Sequence, residues 1–114
     1  MSITAVRAYL ARFGLDSKVL EFPVSSATVE LAAEAAGVIP ARIAKSLSFK
    51  VDGEAILIVT AGDAKVDNAK FKAAFHTKAK MLTPDEVTEM IGHAIGGVCP
   101  FGIKEGVKVY LDES

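Results

Sequence analysis

Residues 44–60 read AKSLSFKVDGEAILIVT and predict two strands joined by a tight turn. From Ala44 to Asp52 apolar and polar residues alternate, which is typical of a strand with one covered face. The pair Asp52 and Gly53 is a hairpin turn signal. The run from Ala55 to Thr60 is apolar without alternation, which indicates a strand covered on both faces. We therefore expect the second strand of this hairpin to lie at the centre of a sheet.

The rest of the chain alternates helical patterns with short strand patterns. Apolar spacing and end signals predict four helices, over residues 3–13, from a cap at Ser25 and Ser26 to Gly37, over residues 68–75, and from Thr83 to Gly92. Thr83, Pro84 and Glu86 have the spacing of a capping box with proline at the first helical position. Short strands are predicted at residues 19–22, 79–82 and 107–111. This order predicts an α/β (α+β) fold, a mixed β-sheet packed by several helices.

Length and composition indicate one globular domain. The chain has 114 residues, of which 51% are hydrophobic and 24% charged, the ordinary balance for a protein with one core. No run of about 18 apolar residues predicts a transmembrane helix, and the first residues lack a signal-peptide pattern. Cys99 is the single cysteine, which excludes an internal disulfide and a zinc site built on several thiolates. We therefore expect a cytoplasmic protein.

The net charge indicates which partners the chain can bind through electrostatic attraction. A net charge of −1, from 13 basic and 14 acidic side chains, argues against a general nucleic-acid coat. Basic residues nevertheless cluster between positions 65 and 80, where only Asp67 opposes them: Lys65, Lys70, Lys72, His76, Lys78 and Lys80. Two interpretations stay open, a solvated helix face and a patch that contacts phosphates.

A glycine-rich loop, GGVCPFG at residues 96–102, is the strongest candidate for chemistry. Adjacent glycines allow positive φ and let a ligand approach the backbone N–H groups, which can hold an anionic oxygen. A tight connection between helix and strand is the structural alternative. Val98 and Phe101 are apolar and favour a wall around a ligand over an exposed turn. The spacing matches neither the dinucleotide fingerprint nor the P-loop.

Lys45 is the second candidate. Its position along the strand has the same parity as Leu47, Phe49 and Val51, so the alternation places it on the apolar face. Its side chain either extends to solvent at the strand's end or presents its ammonium to a ligand's carbonyl or phosphate inside a cleft.

The cysteine and the two histidines are weaker candidates for a catalytic or metal-binding role. Neither spacing nor context pairs Cys99 with His76 or His93, so we interpret Cys99 as a small residue that lines a pocket. His93 follows the helix stop Gly92 and is interpreted as a cap for carbonyls at that helix end. Two isolated histidines and one cysteine predict no metal site.

Two motifs in order carry a resemblance to a known family. Residues 43–49, IAKSLSF, and 92–102, GHAIGGVCPFG, together resemble the YbaK/EbsC family. That family includes free-standing aminoacyl-tRNA deacylases and the editing insertion of bacterial prolyl-tRNA synthetases. The resemblance also takes in AAEAAGV at 32–38 and AGD at 61–63, and so covers nearly the whole chain. We expect residues 1–114 to form a single domain of this kind.

The resemblance implies a reaction and a site. The reaction is hydrolysis of the ester in a mischarged tRNA, of tRNA-Pro or tRNA-Cys type and carrying a small amino acid, without a cofactor. Many members of the family let the substrate's own hydroxyl or thiol assist. Lys45 is the implied catalytic residue, and no metal is implied. The expected substrate-binding residues are Ser46, Gly96, Gly97, Val98, Cys99, Pro100, Phe101 and Gly102, with Phe22 and Thr28 placed near a small substrate side chain.

The resemblance also bears on partners. It implies contact with the acceptor end of a mischarged tRNA, association with an aminoacyl-tRNA synthetase, and no membrane. Family members continue past the strand that matches residues 107–111, so we expect this chain to carry the domain without its C-terminal part. An exposed strand edge there favours a homo-oligomer. The alternatives are a non-catalytic module that holds a tRNA end or a nucleotide, and a purely structural domain.

Overall fold

A three-stranded mixed sheet organises the molecule. A computed structural model of the chain describes residues 3–114. The strands are β1 (Ala44–Val51), β2 (Glu54–Ala61) and β3 (Lys108–Leu111), and β2 lies between the other two. β1 pairs antiparallel with β2, whereas β3 pairs parallel with β2. The predicted hairpin and the mixed sheet are both confirmed.

The turn between β1 and β2 has the conformation that its sequence favours. Asp52 and Gly53 have φ angles of 51° and 77°. Positive φ at both central residues matches the right-handed twist of the flanking strands, and Asp-Gly adopts it at low cost.

Four helices and two short 3₁₀ segments accompany the sheet. Their bounds are α1 (Ile3–Ala11), a 3₁₀ turn (Asp16–Lys18), α2 (Val29–Ala36), a second 3₁₀ turn (Pro40–Arg42), α3 (Asn68–Phe75) and α4 (Pro84–Glu86), which continues as a π-helical turn (Val87–Ile91). No helix within residues 3–114 is long and apolar enough to cross a membrane.

The caps of α2 and α4 define where these helices begin. The hydroxyl of Thr28 accepts a hydrogen bond from the N–H of Leu31 at 3.2 Å, so Thr28 caps α2. The prediction of a cap at Ser25 and Ser26 is wrong, because a capping side chain must lie directly before the first helical residue. The predicted capping box at Thr83 is confirmed.

Two predicted strands differ in the structure. Residues 19–22 form no strand, because no neighbouring strand offers backbone partners within the described chain, and Leu20 is 72% exposed. Residues 79–82 run along the outer edge of β1 but form a single bridge, Met81 opposite Phe49. The N–H of Leu82 donates to the carbonyl oxygen of Ser48 at 3.2 Å, which holds the segment there.

The core lies on both faces of β2. On one face Ala55 and Leu57 pack in a cluster that we name the α4 cluster, completed by Leu82, Val87 and Ile91. On the other face is the α3 cluster, Phe49, Ile56, Ile58 and Phe71. The two-sided burial predicted from the unbroken apolar run is confirmed, and Leu57 is fully buried. The loop of residues 96–102 lies between the π-helical turn and β3, next to the α4 cluster.

Candidate functional site

A cavity of about 310 Å³ lies among the start of α2, the first half of β1 and the beginning of the glycine loop. Its volume is at the lower end of the range for small-molecule sites. It brings together five of the residues that the sequence predicts for the site: Thr28, Lys45, Ser46, Gly96 and Val98. We name it the candidate cavity.

Strand alternation explains which part of β1 faces the candidate cavity. Leu47 packs with the α3 cluster, so the serines on either side of it face the opposite way. Ser46 and Ser48 both line the candidate cavity, and Ser48 is 5% exposed. The strand thus contributes hydroxyl groups to the wall of an otherwise mainly apolar site.

Lys45 lies at the entry of β1, where its ammonium has a backbone partner. Its Nζ donates a hydrogen bond to the carbonyl oxygen of Ala64, in the segment that follows β2. Lys45 pairs with Thr60 across the hairpin, which places it near the end of β2 and hence near Ala64. The residue also lines the candidate cavity. By strand alternation its side chain shares the side of Leu47 rather than that of Ser46 and Ser48, and Ala64 is not among the residues that line the cavity.

The first half of the glycine loop borders the candidate cavity. Gly96 has a φ angle of 88°, and a side chain there would meet Ala27 at 3.7 Å. Gly96 and Val98 line the cavity, and Val98 also packs against the α4 cluster. The N–H of Gly97 donates to the carbonyl oxygen of Ala94 at 3.0 Å and stabilises this turn.

The second half of the loop packs against α1 instead. Phe101 stacks on Tyr9 with ring centroids 6.0 Å apart. Gly102 has a φ angle of 66°, and a Cβ atom there would lie 2.8 Å from the carbonyl oxygen of Ala5. The structure therefore does not bring all predicted residues together: Gly97, Cys99, Pro100, Phe101, Gly102 and Phe22 are not among the residues that line the candidate cavity.

A buried histidine joins the two ends of the loop. His93 is 1% exposed, and its Nε2 lies 2.8 Å from the carbonyl oxygen of Phe101. Because a carbonyl oxygen only accepts, Nε2 is the donor. This acceptor lies eight residues further along the chain, so the contact closes the loop and is not a cap on the preceding helix.

Cys99 lies beside the same histidine. Its Sγ is 3.6 Å from His93 Nε2, and the thiol donates to the carbonyl oxygen of Phe101 at 3.5 Å. The sequence interpretation that Cys99 has no histidine beside it is wrong, because the loop folds back and brings the two side chains together. No periodicity in the sequence signals such a contact. Burial raises the pKa of the Cys99 thiol above its ordinary value. The thiol is therefore poorly suited to act as a nucleophile.

Apart from Lys45, the charged groups of β1 lie away from the candidate cavity. Lys50, at the other end of β1, forms an ion pair with Glu86. The hydrogen bond from Lys50, helped by the backbone N–H of Thr83, lowers the pKa of Glu86 to about 2. No aspartate, glutamate, histidine or cysteine is among the described residues that line the cavity. Across residues 3–114 no three such side chains gather in a metal-binding arrangement.

Comparisons with known proteins place this geometry in context. The family model described as "Aminoacyl-tRNA editing domain" matches residues 24–114. The chain is 55% identical over 115 residues to the uncharacterized protein YwhH of Bacillus subtilis (strain 168), covering 100% of this chain and 73% of that protein. It is 31% identical over 88 residues to the proline–tRNA ligase of Geobacillus sp. (strain WCH70), covering 76% of this chain but 16% of the ligase.

A solved structure has the same fold. A crystal structure described as that of a candidate trans-editing enzyme for prolyl tRNA synthetase superposes with a TM-score of 0.87 at 36% identity. The match covers 98% of this chain and 72% of that one. The sheet and helices described above are therefore those of this trans-editing fold.

Proposed function

This chain belongs to the aminoacyl-tRNA editing domain family, and we propose that it acts in trans as a deacylase on a mischarged tRNA. The observation that carries the proposal is the candidate cavity, which has Lys45 and Ser46 on the strand side and Gly96 on the loop side. The similarity to a candidate trans-editing enzyme for prolyl tRNA synthetase and to proline–tRNA ligases supports tRNA-Pro, and tRNA-Cys is the other type that the family resemblance implies. A synthetase is the proposed source of the mischarged tRNA.

The lining of the candidate cavity favours a small amino acid. Several of its residues have the shortest side chains, namely Ala27, Ala32, Ala44, Ser46 and Gly96. The total volume of about 310 Å³ is small for a site that must also hold part of a ribose. Alanine, cysteine, serine and threonine are the amino acids that fit this description.

The proposed reaction is the hydrolysis of an ester. Water adds to the ester carbonyl carbon, the bond from that carbon to the ribose oxygen breaks, and the ribose oxygen leaves as a hydroxyl. The products are the free amino acid and the uncharged tRNA. Lys45 would exchange the Ala64 carbonyl for the substrate and place a positive charge next to the oxygen on which negative charge develops. Backbone N–H groups at Gly96 and Val98, which line the cavity, would assist, each well-aligned donor being worth roughly 3 kcal/mol.

The residues that line the candidate cavity indicate which group accepts the proton of the attacking water. Since no acid, histidine or cysteine lines the cavity within the described residues, a hydroxyl or thiol of the substrate itself relays the proton, taking it from the attacking water while passing its own proton to the departing ribose oxygen. The catalytic contribution of the protein then consists of positioning and electrostatic stabilisation.

The contact between Lys45 and Ala64 favours a second candidate, a non-catalytic module that holds the end of a tRNA. In that case the ammonium keeps a structural role, and the candidate cavity binds the aminoacyl adenosine without turnover. The two candidates differ in a single observable, the release of amino acid.

A panel of mischarged tRNAs tests the proposal. tRNA-Pro and tRNA-Cys charged with alanine, cysteine, serine or threonine are incubated with sub-stoichiometric protein, and free amino acid is measured. Release beyond one equivalent from at least one substrate supports the deacylase. Binding of the charged tRNAs with no release from any of them selects the binding module instead.

A further inference from the structure

The segment of residues 78–82 joins a basic surface to the candidate cavity. Lys72 and Lys78 line one surface cavity of about 410 Å³ beside the start of α3. Lys80 follows along the same segment and is exposed. The next residue, Met81, lines the candidate cavity and pairs with Phe49 at the edge of β1. We name Lys72, Lys78 and Lys80 the β1-edge lysines.

The acidic groups of this region have other partners or other positions. Asp67 caps α3 by accepting from the N–H of Lys70 at 2.9 Å, and it lines a different surface cavity, together with Lys65, Lys70 and Asp112. Glu86 is paired with Lys50. The ion pairs found among residues 3–114 are Arg7 with Glu21 and Lys50 with Glu86, so none involves a β1-edge lysine.

This separation divides the basic residues of α3 and its flanks into two groups. Lys65 and Lys70 share their surface cavity with two carboxylates, Asp67 and Asp112. Hydrogen bonds from Ser114 and, to a smaller extent, the charge of Lys70 lower the pKa of Asp112. Among the described residues the β1-edge lysines form no ion pair, and no carboxylate lines the surface cavity that Lys72 and Lys78 share. The whole chain has a net charge of −1, so it has no overall positive charge. The positive potential of these lysines is therefore confined to their part of the surface.

We propose that the β1-edge lysines bind backbone phosphates of the RNA whose aminoacylated end enters the candidate cavity. That this RNA is a tRNA rests on the proposed function. Exposed ammonium groups without ion-pair partners are the side chains that bind phosphates at low desolvation cost, and they do so without reading sequence. Lys78 and Lys80 are exposed, and Met81, the next residue, lines the candidate cavity. An RNA whose terminal adenosine enters the cavity would therefore have the phosphates of its stem near these lysines.

Two triple variants of equal charge test this inference. Lys72→Gln with Lys78→Gln and Lys80→Gln removes the β1-edge lysines. Lys65→Gln with Lys70→Gln and Lys108→Gln removes three other exposed lysines and is the matched control. Each variant is first compared with the wild-type protein by circular dichroism and thermal unfolding, so that a folding defect is recognised.

The first readout is binding of uncharged tRNA as a function of salt. Each phosphate contact contributes roughly 0.7–0.9 to the slope of log K against log salt. We expect the β1-edge variant to bind at least tenfold more weakly at low salt and to lose about two units of slope, while the control keeps both. Equal effects of the two variants, or no binding by the wild-type protein, would overturn the inference. This readout does not depend on turnover, so it separates the inference from the proposed deacylase activity.

The second readout compares a long and a short substrate. For mischarged tRNA the β1-edge variant is expected to raise KM by about tenfold with kcat unchanged. For an aminoacylated CCA trinucleotide, which lacks the stem, the same variant is expected to match the wild-type protein. Loss of activity on both substrates would assign these lysines to the fold or to the cavity and would contradict the inference.

Discussion

The Nε2 atom of His93 donates to the carbonyl oxygen of Phe101 across 2.8 Å and so closes the loop whose first half borders the candidate cavity. His93 is 1% exposed, so a buried side chain holds this surface loop. Since the thiol of Cys99 donates to the same oxygen, two side chains converge on one backbone acceptor. Gly96 and Val98, which line the candidate cavity, lie between His93 and Cys99 along the chain.

Replacement of His93 by leucine should destabilise the protein. The substitution removes the N–H donor to Phe101 and leaves that carbonyl oxygen with the weaker thiol donor of Cys99, and loss of one hydrogen bond costs about 0.5–1.5 kcal/mol. Urea unfolding monitored by circular dichroism measures the effect. His93→Gln retains an amide N–H donor and should recover part of the loss, whereas equal stability of His93→Leu and the wild-type protein would contradict the anchoring role.

Gly102→Ala should be more destabilising than Gly106→Ala. Both glycines have positive φ angles, 66° and 89°, so both alanines carry backbone strain. Only at position 102 would the new Cβ meet a backbone atom, the Ala5 carbonyl oxygen at 2.8 Å, while nothing lies within 4 Å of a Cβ at position 106. We expect a difference in unfolding free energy of about 1–3 kcal/mol. A smaller effect at Gly102 than at Gly106 would show that the loop does not pack on α1 as described.

The ion pair between Lys50 and Glu86 should make stability depend on acid pH. The pKa of Glu86 falls from an ordinary value of 4.5 to about 2 on folding, because Lys50 and Thr83 bond to its charged form. A depressed folded-state pKa contributes stability that is present above pH 4.5 and is lost as the pH falls toward 2. Thermal unfolding of the wild-type protein and Glu86→Gln, which keeps the capping geometry, should differ at pH 6 and converge near pH 2. A constant difference across this range would contradict the assignment.

Cys99 should react slowly with alkylating reagents. Burial raises the pKa of its thiol above the ordinary value, so the thiolate fraction at neutral pH is small. Iodoacetamide labelling, followed by mass spectrometry, should be slower than labelling of glutathione at pH 8 and should accelerate as the pH is raised. Faster labelling than glutathione at pH 8 would indicate an activated thiolate.

The sequence was sufficient for the parts of the fold that depend on local patterns. Alternation at Ala44–Val51 and the Asp52–Gly53 turn predict the hairpin because strand faces and turn conformations are set by neighbouring residues. The strand predicted at residues 19–22 fails for the opposite reason. Its apolar residues resemble a strand, but a strand also needs a partner, which no local pattern reveals.

The residues of the candidate site were predictable in part, and their contacts less so. Lys45, Ser46 and Gly96 meet at one cavity, as the ordered motifs suggest. The contacts of Lys45 with Ala64 and of His93 with Cys99 depend on how two loops fold back, and neither has a periodic signal in the sequence.

The rate of amino acid release by the wild-type protein and by Lys45→Ala tests the central claim most directly. Lys18→Ala, at an exposed lysine of the first 3₁₀ turn, is the matched control for loss of one charge. We predict turnover of at least one mischarged tRNA by the wild-type protein and by Lys18→Ala, and a loss of about a hundredfold in kcat for Lys45→Ala. Lys45→Ala as active as the wild-type protein, or no release from any of the charged tRNAs, would contradict the claim.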